Sequence, residues 1–236
     1  MSKHPPNFLP MVQDSAEWLQ ARVGHVTASR VAAVVGRLKS GKPTAEYENY
    51  KMEILTEILT GQTVEHYVSP YMDFGKEYEG VARAQYEMAK DVEVERVGFV
   101  LHPRIARSGA SPDGLVGEDG LVEIKVPTTA NHLRYLMEGV GPEQYIPQMM
   151  WQMACTERKW CDFCSYDPRL PADFGLFIVR LEREDEAIRD MEDKVVQFIA
   201  EVNALSDKLL ASRKYTAMPI PEPAPAGPGP CKAVIP

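Results

Sequence analysis

Through the first ninety or so residues, apolar positions recur at helical spacing. Asp14 and Ser15 can cap a short helix through Arg22, and Thr27 opens a second, TASRVAAVVG, that stops at Gly36. From Thr44 a third helix carries Met52, Leu55, Ile58 and Leu59 on one face. Ser69-Pro70 starts a fourth, with proline at its first position, and the pattern runs to about Lys90. The period then changes. Residues 92–101 are rich in Val and Phe and read as a strand, and 105–109, 113–117 and 121–126 read as further short strands. Helices are expected near 128–138 and 143–156, strands at 159–166 and 174–182, and a long charged helix at about 184–211. Helices wrapped on a central mixed sheet make an α/β (α+β) fold, in one domain over residues 1–215. From Pro219 the run PIPEPAPAGPGP builds neither helix nor sheet ladders, so residues 216–236 are expected to form a disordered tail.

One stretch carries chemistry. Ser111-Pro112-Asp113-Gly114 is followed, ten residues after the aspartate, by Glu123-Ile124-Lys125. Side chains alternate across a strand, so Val122, Ile124 and Val126 form a core face while Leu121, Glu123 and Lys125 point the other way. The loop Glu118-Asp119-Gly120 fits a three-residue hairpin with glycine in the left-handed position. That register closes Gly117 on Leu121 and sets Asp113 opposite Lys125 and diagonal to Glu123, on one face. A two-residue loop, Asp119-Gly120, would turn Asp113 to the other face. Two converging carboxylates repel each other unless a cation sits between them, and hard oxygen ligands, with the Ile124 carbonyl as a further donor, suit Mg²⁺ or Mn²⁺. A lysine beside the metal can orient or deprotonate the attacking water. Glu79, on the helix 70–90, lies among Met72, Gly75, Ala82 and Tyr86 and needs a partner. Either it joins the metal site or it pairs with Arg83, one turn along.

Net charge changes the picture less than its distribution does. The chain of 236 residues carries a net charge of −8, which speaks against a nucleic-acid binder. Yet residues 18–45 hold Arg22, Arg30, Arg37, Lys39 and Lys42 with no acid, while seven acids and two bases fall within residues 182–193. The first stretch fits either a phosphate site or an ordinary basic surface, and the second is a solvated helix face. No apolar run approaches a membrane span, and Met1 to Pro10 lacks the pattern of a secretory signal. Four cysteines do not suggest a disulfide scaffold, so the expectation is a reduced, cytoplasmic protein.

Five separated motifs extend the reading: WLQARVGHVTASR, FGKEYE (residues 74–79), SPDGLVGEDGLVEIKVP, YIPQMMWQ (145–152) and SYDPR (165–169). Together, in this order, they resemble the phage lambda exonuclease family of the PD-(D/E)xK nuclease superfamily. The resemblance implies a restriction-endonuclease-like core. It implies a 5′→3′ exonuclease that works on double-stranded DNA ends in a bacterial or phage-infected cytoplasm. One strand would be digested processively to mononucleotides, leaving a 3′ single strand for recombination. Asp113 and Glu123 would bind Mg²⁺, two ions per active site, with Glu79 on or near the metals. Lys125 would serve the nucleophilic water, and Gln148 would position that lysine or water. Arg22, Ser29 and Ser111 would hold the terminal 5′-phosphate. A ring-shaped homotrimer with an acidic outside and a basic channel is implied too, as is a single-strand-annealing recombinase as partner. The sequence departs from the family at His102-Pro103-Arg104, where additional acids are expected ahead of SPDG.

Other signals are set aside. A cluster on Cys155, Cys161 and Cys164 would need a fourth cysteine, and only Cys231 in the tail remains. Cys161 and Cys164 also fall on opposite faces of a strand. His4, His25, His66, His102 and His132 show no metal-ligand spacing, although His25 lies close enough to Arg22 to touch a phosphate. Trp18, Trp151 and Trp160 read as core or interface residues. A site-specific endonuclease with the same metal core, and a non-catalytic DNA-end-binding module, are the competing functions. Cleavage of circular DNA would favour the first, and absence of any metal-dependent cleavage the second.

Overall fold

The computed structural model describes residues 4–64 and 70–212. Ser69, His66 and the Pro-rich tail with Cys231 lie outside the described residues. In chain order the elements are β1 (Phe8–Leu9), α1 (Ala16–Arg22), β2 (Val26–Thr27), α2 (Val31–Val35), α3 (Ala45–Thr60) and α4 (Pro70–Lys90). There follow β3 (Val94–Glu95), β4 (Phe99–Leu101), β5 (Ser108–Ala110), β6 (Gly114–Val116) and β7 (Gly120–Lys125). The chain continues through α5 (Thr129–Glu138), α6 (Ile146–Thr156), β8 (Trp160–Tyr166), β9 (Leu176–Glu182) and α7 (Asp185–Ser212). The mixed α/β class expected from the sequence is the class observed.

The strands form two sheets, a five-stranded one in the order β3-β6-β7-β8-β9 and a four-stranded one in the order β1-β4-β5-β2. Among the described residues, only β7–β8 and β2–β5 run parallel. Residues 92–101, expected as one strand, are split between the sheets, with β3 on β6 and β4 between β1 and β5. Gly98 makes the crossing, because a Cβ there would run into the carbonyls of Leu9 and Met11. Thr27 ends β2 and, as expected, stands at the cap of the helical segment that follows, which stops at Gly36.

Helix α6 sits at the centre. Met149 to Cys155 are all buried, with Gln152 the one polar side chain among them, and α6 touches β4, β5, β8, α2 and α7. On the other face of the five-stranded sheet, α4 packs Ala82 and Tyr86 against Val116, Val122, Ile124 and Cys164. The sheet is thus buried on both sides, and every residue of β7 from Gly120 to Ile124 is buried. Helix α3 meets α7 through Tyr47, Tyr50 and Phe198, with ring centroids 5.1 and 5.5 Å apart. Its inward face is Tyr47, Tyr50, Ile54 and Leu55, whereas Met52 and Leu59, expected to face the core, are about half exposed. Aromatic rings, bulkier than Met or Leu, decide which side of this helix is buried.

The hairpin between β6 and β7 has the expected length and a different register. Val116 pairs with Gly120, so the loop is Gly117-Glu118-Asp119 and Asp113 falls opposite Glu123 rather than Lys125. The left-handed residue is Gly117, at φ 54°, not Gly120. Gly120 lies in the strand because the Trp160 ring covers it where a Cβ would stand. A shift of two residues preserves the face, so Asp113, Glu123 and Lys125 remain on one side. Trp160 in turn stacks under Arg180 at 3.4 Å, and Arg180 bonds the fully buried Asp162 at 2.7 and 3.1 Å. Replacing Gly120 with Ala should therefore overpack this seam and cost about 1–3 kcal/mol. Chemical denaturation measures it, and an unchanged midpoint would show that Trp160 does not pin the register.

Candidate active site

Glu123 is fully buried in the middle of β7. A buried carboxylate needs donors, and it has them. Gln148 Nε2 donates to Oε1 at 2.5 Å and Gln152 Nε2 to Oε2 at 2.6 Å, while Lys125 Nζ also reaches Oε1. The two glutamines lie one turn apart on α6, so a single helix face closes over the acid. Asp113, just before β6, accepts from the Ile124 amide through Oδ2 at 2.6 Å. Burial, and next the charge of Glu123, hold the Asp113 carboxyl well above its ordinary range. Burial pushes the Lys125 ammonium the other way, but Glu123 and Asp113 outweigh it and raise its pKa. Lys125 also lies over the Tyr145 ring, at 5.2 Å.

Of the two alternatives for Glu79, the structure shows the ion pair. It pairs with Arg83 one turn along α4, and its charge still bears on Asp113. Among the described residues, no three His, Cys, Asp or Glu side chains close around one point. The donor set, the buried Glu123 facing the half-buried Asp113 beside the Ile124 backbone, with Glu79 at the flank, is all hard oxygen and fits a divalent cation.

Of the residues expected to hold a phosphate, Arg22 and Ser111 are joined through Trp18. The Arg22 guanidinium stacks on Trp18 at 3.9 Å, and the Trp18 indole N–H donates to Ser111 Oγ at 2.9 Å. Burial lowers the Arg22 pKa against the pull of Tyr50, Glu57 and Asp14. Gly24 turns the chain at φ 68°, its amide bonded to the buried Glu57 at 2.8 Å. Strand β2 then runs beside β5, carrying Thr27 to Gly109, and the exposed Ser29 lies 3.3 Å from Thr27 Oγ1. His25 turns its Nδ1–H to the Val23 carbonyl at 3.0 Å. Of the other bases in this stretch, Arg30 pairs with Glu53 at 2.9 Å, and Arg37 bonds the Val34 and Gly36 carbonyls. Lys39 and Lys42 are exposed.

Three residues escaped the sequence reading. Gln152 and Glu57 are two of them, and the spacing of Gln152 from Gln148 was the available signal. The third is Arg169 of SYDPR, which bonds Asp167 at 2.7 Å, reaches the Pro127 carbonyl at 2.9 Å and lies over Phe74 at 4.8 Å. It thereby ties the segment after Lys125 to the FGKEYE helix. The departure at His102-Pro103-Arg104 has a structural use. His102 stacks on Trp151 at 5.0 Å, with Nε2 3.2 Å from Glu192, and Arg104 reaches the same acid. Surface cavities of about 340 and 1000 Å³ beside the hairpin loop are lined by neither Asp113, Glu123 nor Lys125.

Comparison with known proteins accords with this geometry. A YqaJ-like viral recombinase domain matches residues 17–159. Crystal structures of LHK-Exo, an alkaline exonuclease from Laribacter hongkongensis, superpose with TM-scores of 0.78 for a complex with dAMP and 0.77 for the enzyme. They are 44% and 45% identical, over 84% of this chain and 97% of that one. A phage-related exonuclease from Haemophilus somnus 129PT shares the fold at 14% identity and a TM-score of 0.59, over 79% of this chain and 95% of that one. No curated protein sequence matches the chain. With its motifs in order and more than half its length matched, the chain belongs to the YqaJ-like viral recombinase family, the lambda-exonuclease group that its sequence resembles.

Proposed function

We propose that this protein is a Mg²⁺-dependent exonuclease that degrades one strand of duplex DNA from a 5′-phosphorylated end, releasing mononucleotides and leaving a 3′ single strand. The observation that carries the reading is the junction at Ser111-Pro112-Asp113. Ser111 belongs to the Trp18–Arg22 cluster, and two residues on, Asp113 faces Glu123 and Lys125. A terminal-phosphate site and a nucleolytic site are adjacent by covalent connection. The likeness to an alkaline exonuclease crystallised with dAMP, a nucleoside monophosphate, supports the same reading.

In this reading Asp113, Glu123 and the Ile124 carbonyl hold the metal, with Glu79 at its flank. Mg²⁺ or Mn²⁺ held there would lower the pKa of an attacking water and offset developing phosphate charge. The protein's part follows from its hydrogen bonds. Gln148 and Gln152 fix the Glu123 carboxylate. Lys125, held as a cation, orients the water and stabilises the phosphate charge. An indole N–H only donates, so Ser111 Oγ accepts from Trp18 and its own proton is left to donate to a phosphate oxygen. The stacked Arg22 is kept planar and aimed, the geometry in which a guanidinium grips phosphate, and Ser29 completes the cradle. The family resemblance adds a homotrimeric ring and an annealing recombinase as partner. Among the described residues no helix is long and apolar enough to cross a membrane.

Linear duplex DNA labelled at either the 5′ or the 3′ end, with Mg²⁺ or EDTA, tests the reading. Early Mg²⁺-dependent release of the 5′ label as mononucleotide, with circular DNA intact, is expected. Internal fragments would make the protein an endonuclease, and absence of cleavage with any divalent ion would leave only end binding. Lys125→Ala should slow cleavage about a hundredfold or more while duplex binding persists, and cleavage at the wild-type rate would remove the lysine from the mechanism. Arg22→Ala should lose about tenfold or more on 5′-phosphorylated ends and little on 5′-hydroxyl ends, with Trp18→Phe moving the same way. Equal losses on both ends would refute the phosphate cluster. The raised Asp113 carboxyl binds a proton more readily folded than unfolded, so its contribution to stability is lost as pH rises through the folded pKa. In EDTA at neutral pH, Asp113→Asn should therefore melt higher than the wild type, by a margin that shrinks on acidification. Mn²⁺ should reverse the order, and an order unaffected by Mn²⁺ would count against Asp113 as a ligand.

A further inference from the structure

Gln152 is completely buried, four residues after Gln148 on α6. Its Nε2 donates to Glu123 Oε2 at 2.6 Å, the oxygen that neither Lys125 nor Gln148 touches. Its other end, Oε1, lies 3.8 Å from Cys161 Sγ on β8, a thiol that also stands 4.0 Å from the Asp162 carbonyl. A carboxylate only accepts, so the amide must turn its nitrogen to Glu123 and its oxygen to the thiol. Cys161 is wholly buried, and burial, followed by the charges of Glu123 and Asp113, keeps its thiol protonated and able to donate. The order is Cys161 S–H to Gln152, then Gln152 N–H to Glu123.

This order has a mechanical consequence. With Oε2 tied by Gln152, the Glu123 carboxyl is held against rotation about its last bond, and Oε1, which accepts from Lys125 and Gln148, is the oxygen on the Lys125 side. A metal ion arriving there meets a carboxylate already oriented. Partners of this kind behind a ligand commonly set metal affinity by about 10–100-fold. We infer that Gln152 is a positioning residue that orients the Glu123 carboxylate for the metal, its amide aligned by the Cys161 thiol. The inference rests on the metal reading above and adds to it the residue that sets how tightly the metal is held.

Mn²⁺ binding to the purified full chain, followed by the rise of its thermal midpoint and independently by calorimetry, tests the assignment. Gln152→Met keeps the length and apolar bulk but removes both polar ends. It should raise the half-saturating Mn²⁺ concentration about tenfold or more, with duplex binding in EDTA at the wild-type level. Cys161→Ala should move half-saturation in the same direction by about threefold, and Cys161→Ser, which keeps a donor, should restore it. A merely structural amide would lower the metal-free midpoint without changing Mn²⁺ half-saturation. Unchanged half-saturation in Gln152→Met, or in Cys161→Ala should the first variant not fold, overturns the inference while leaving the nuclease reading intact. A wild-type chain that binds no Mn²⁺ overturns the metal reading, and the inference with it.

Discussion

The buried charge of Glu123 is the constraint on which the rest of this structure turns. An anion withdrawn from water costs several kcal/mol unless donors surround it. Here the donors come from β7 itself, through Lys125, and from α6, through Gln148 and Gln152. Helix α6 must therefore lie across β7 with one face against the acid. That placement brings its remaining faces, Met149 to Cys155, into the core between the two sheets and beneath α7. Core and candidate site are built on one helix, so a change that shifts α6 acts on both.

A second organising feature is that the motifs meet through side chains rather than along the backbone. Arg169 links SYDPR to Phe74 of FGKEYE and to the Pro127 carbonyl just past Lys125. Trp18 links the first motif to Ser111 of the third. Each bridge uses a planar group, guanidinium or indole, that packs by its face and bonds by its edge. This lets one side chain fix both the distance and the orientation of two chain segments. The buried Asp162, bonded by Tyr86 and Arg180, does the same on the α4 side of the sheet.

Charge is partitioned accordingly. The acid-free stretch after Trp18 is not a uniform basic surface: Arg30 is neutralised by Glu53, and Arg37 is spent on helix-end carbonyls. Arg22, stacked and half-buried, is the base of that stretch joined to the Ser111 cluster. At the opposite end, Glu192 of the acidic α7 is engaged by His102 and Arg104. The segment where the family resemblance called for extra acids is thereby committed to holding α7 in place.

Much of this was legible in the residues themselves. Periodicity located the helices and most strands to within a few positions, because a helix or strand must show its apolar side every third to fourth or every second residue. Alternation along β7 put Glu123 and Lys125 on one face whatever the register, and parity carried Asp113 with them. What pairs with what was decided only by packing. Trp160 pressing on Gly120 moved the hairpin register by two residues, and the carbonyls of Leu9 and Met11 at Gly98 divided one apolar run between two sheets. The Tyr47, Tyr50 and Phe198 rings turned α3 away from the face suggested by Met52 and Leu59. The four-residue spacing set Gln152 on the same helix face as Gln148, but what that face meets was decided only when β7 lay beneath it. Local pattern, in short, reports which side of an element is apolar, whereas the partner on that side is set by steric fit and by where a buried charge finds its donors, and both exist only once the chain has closed.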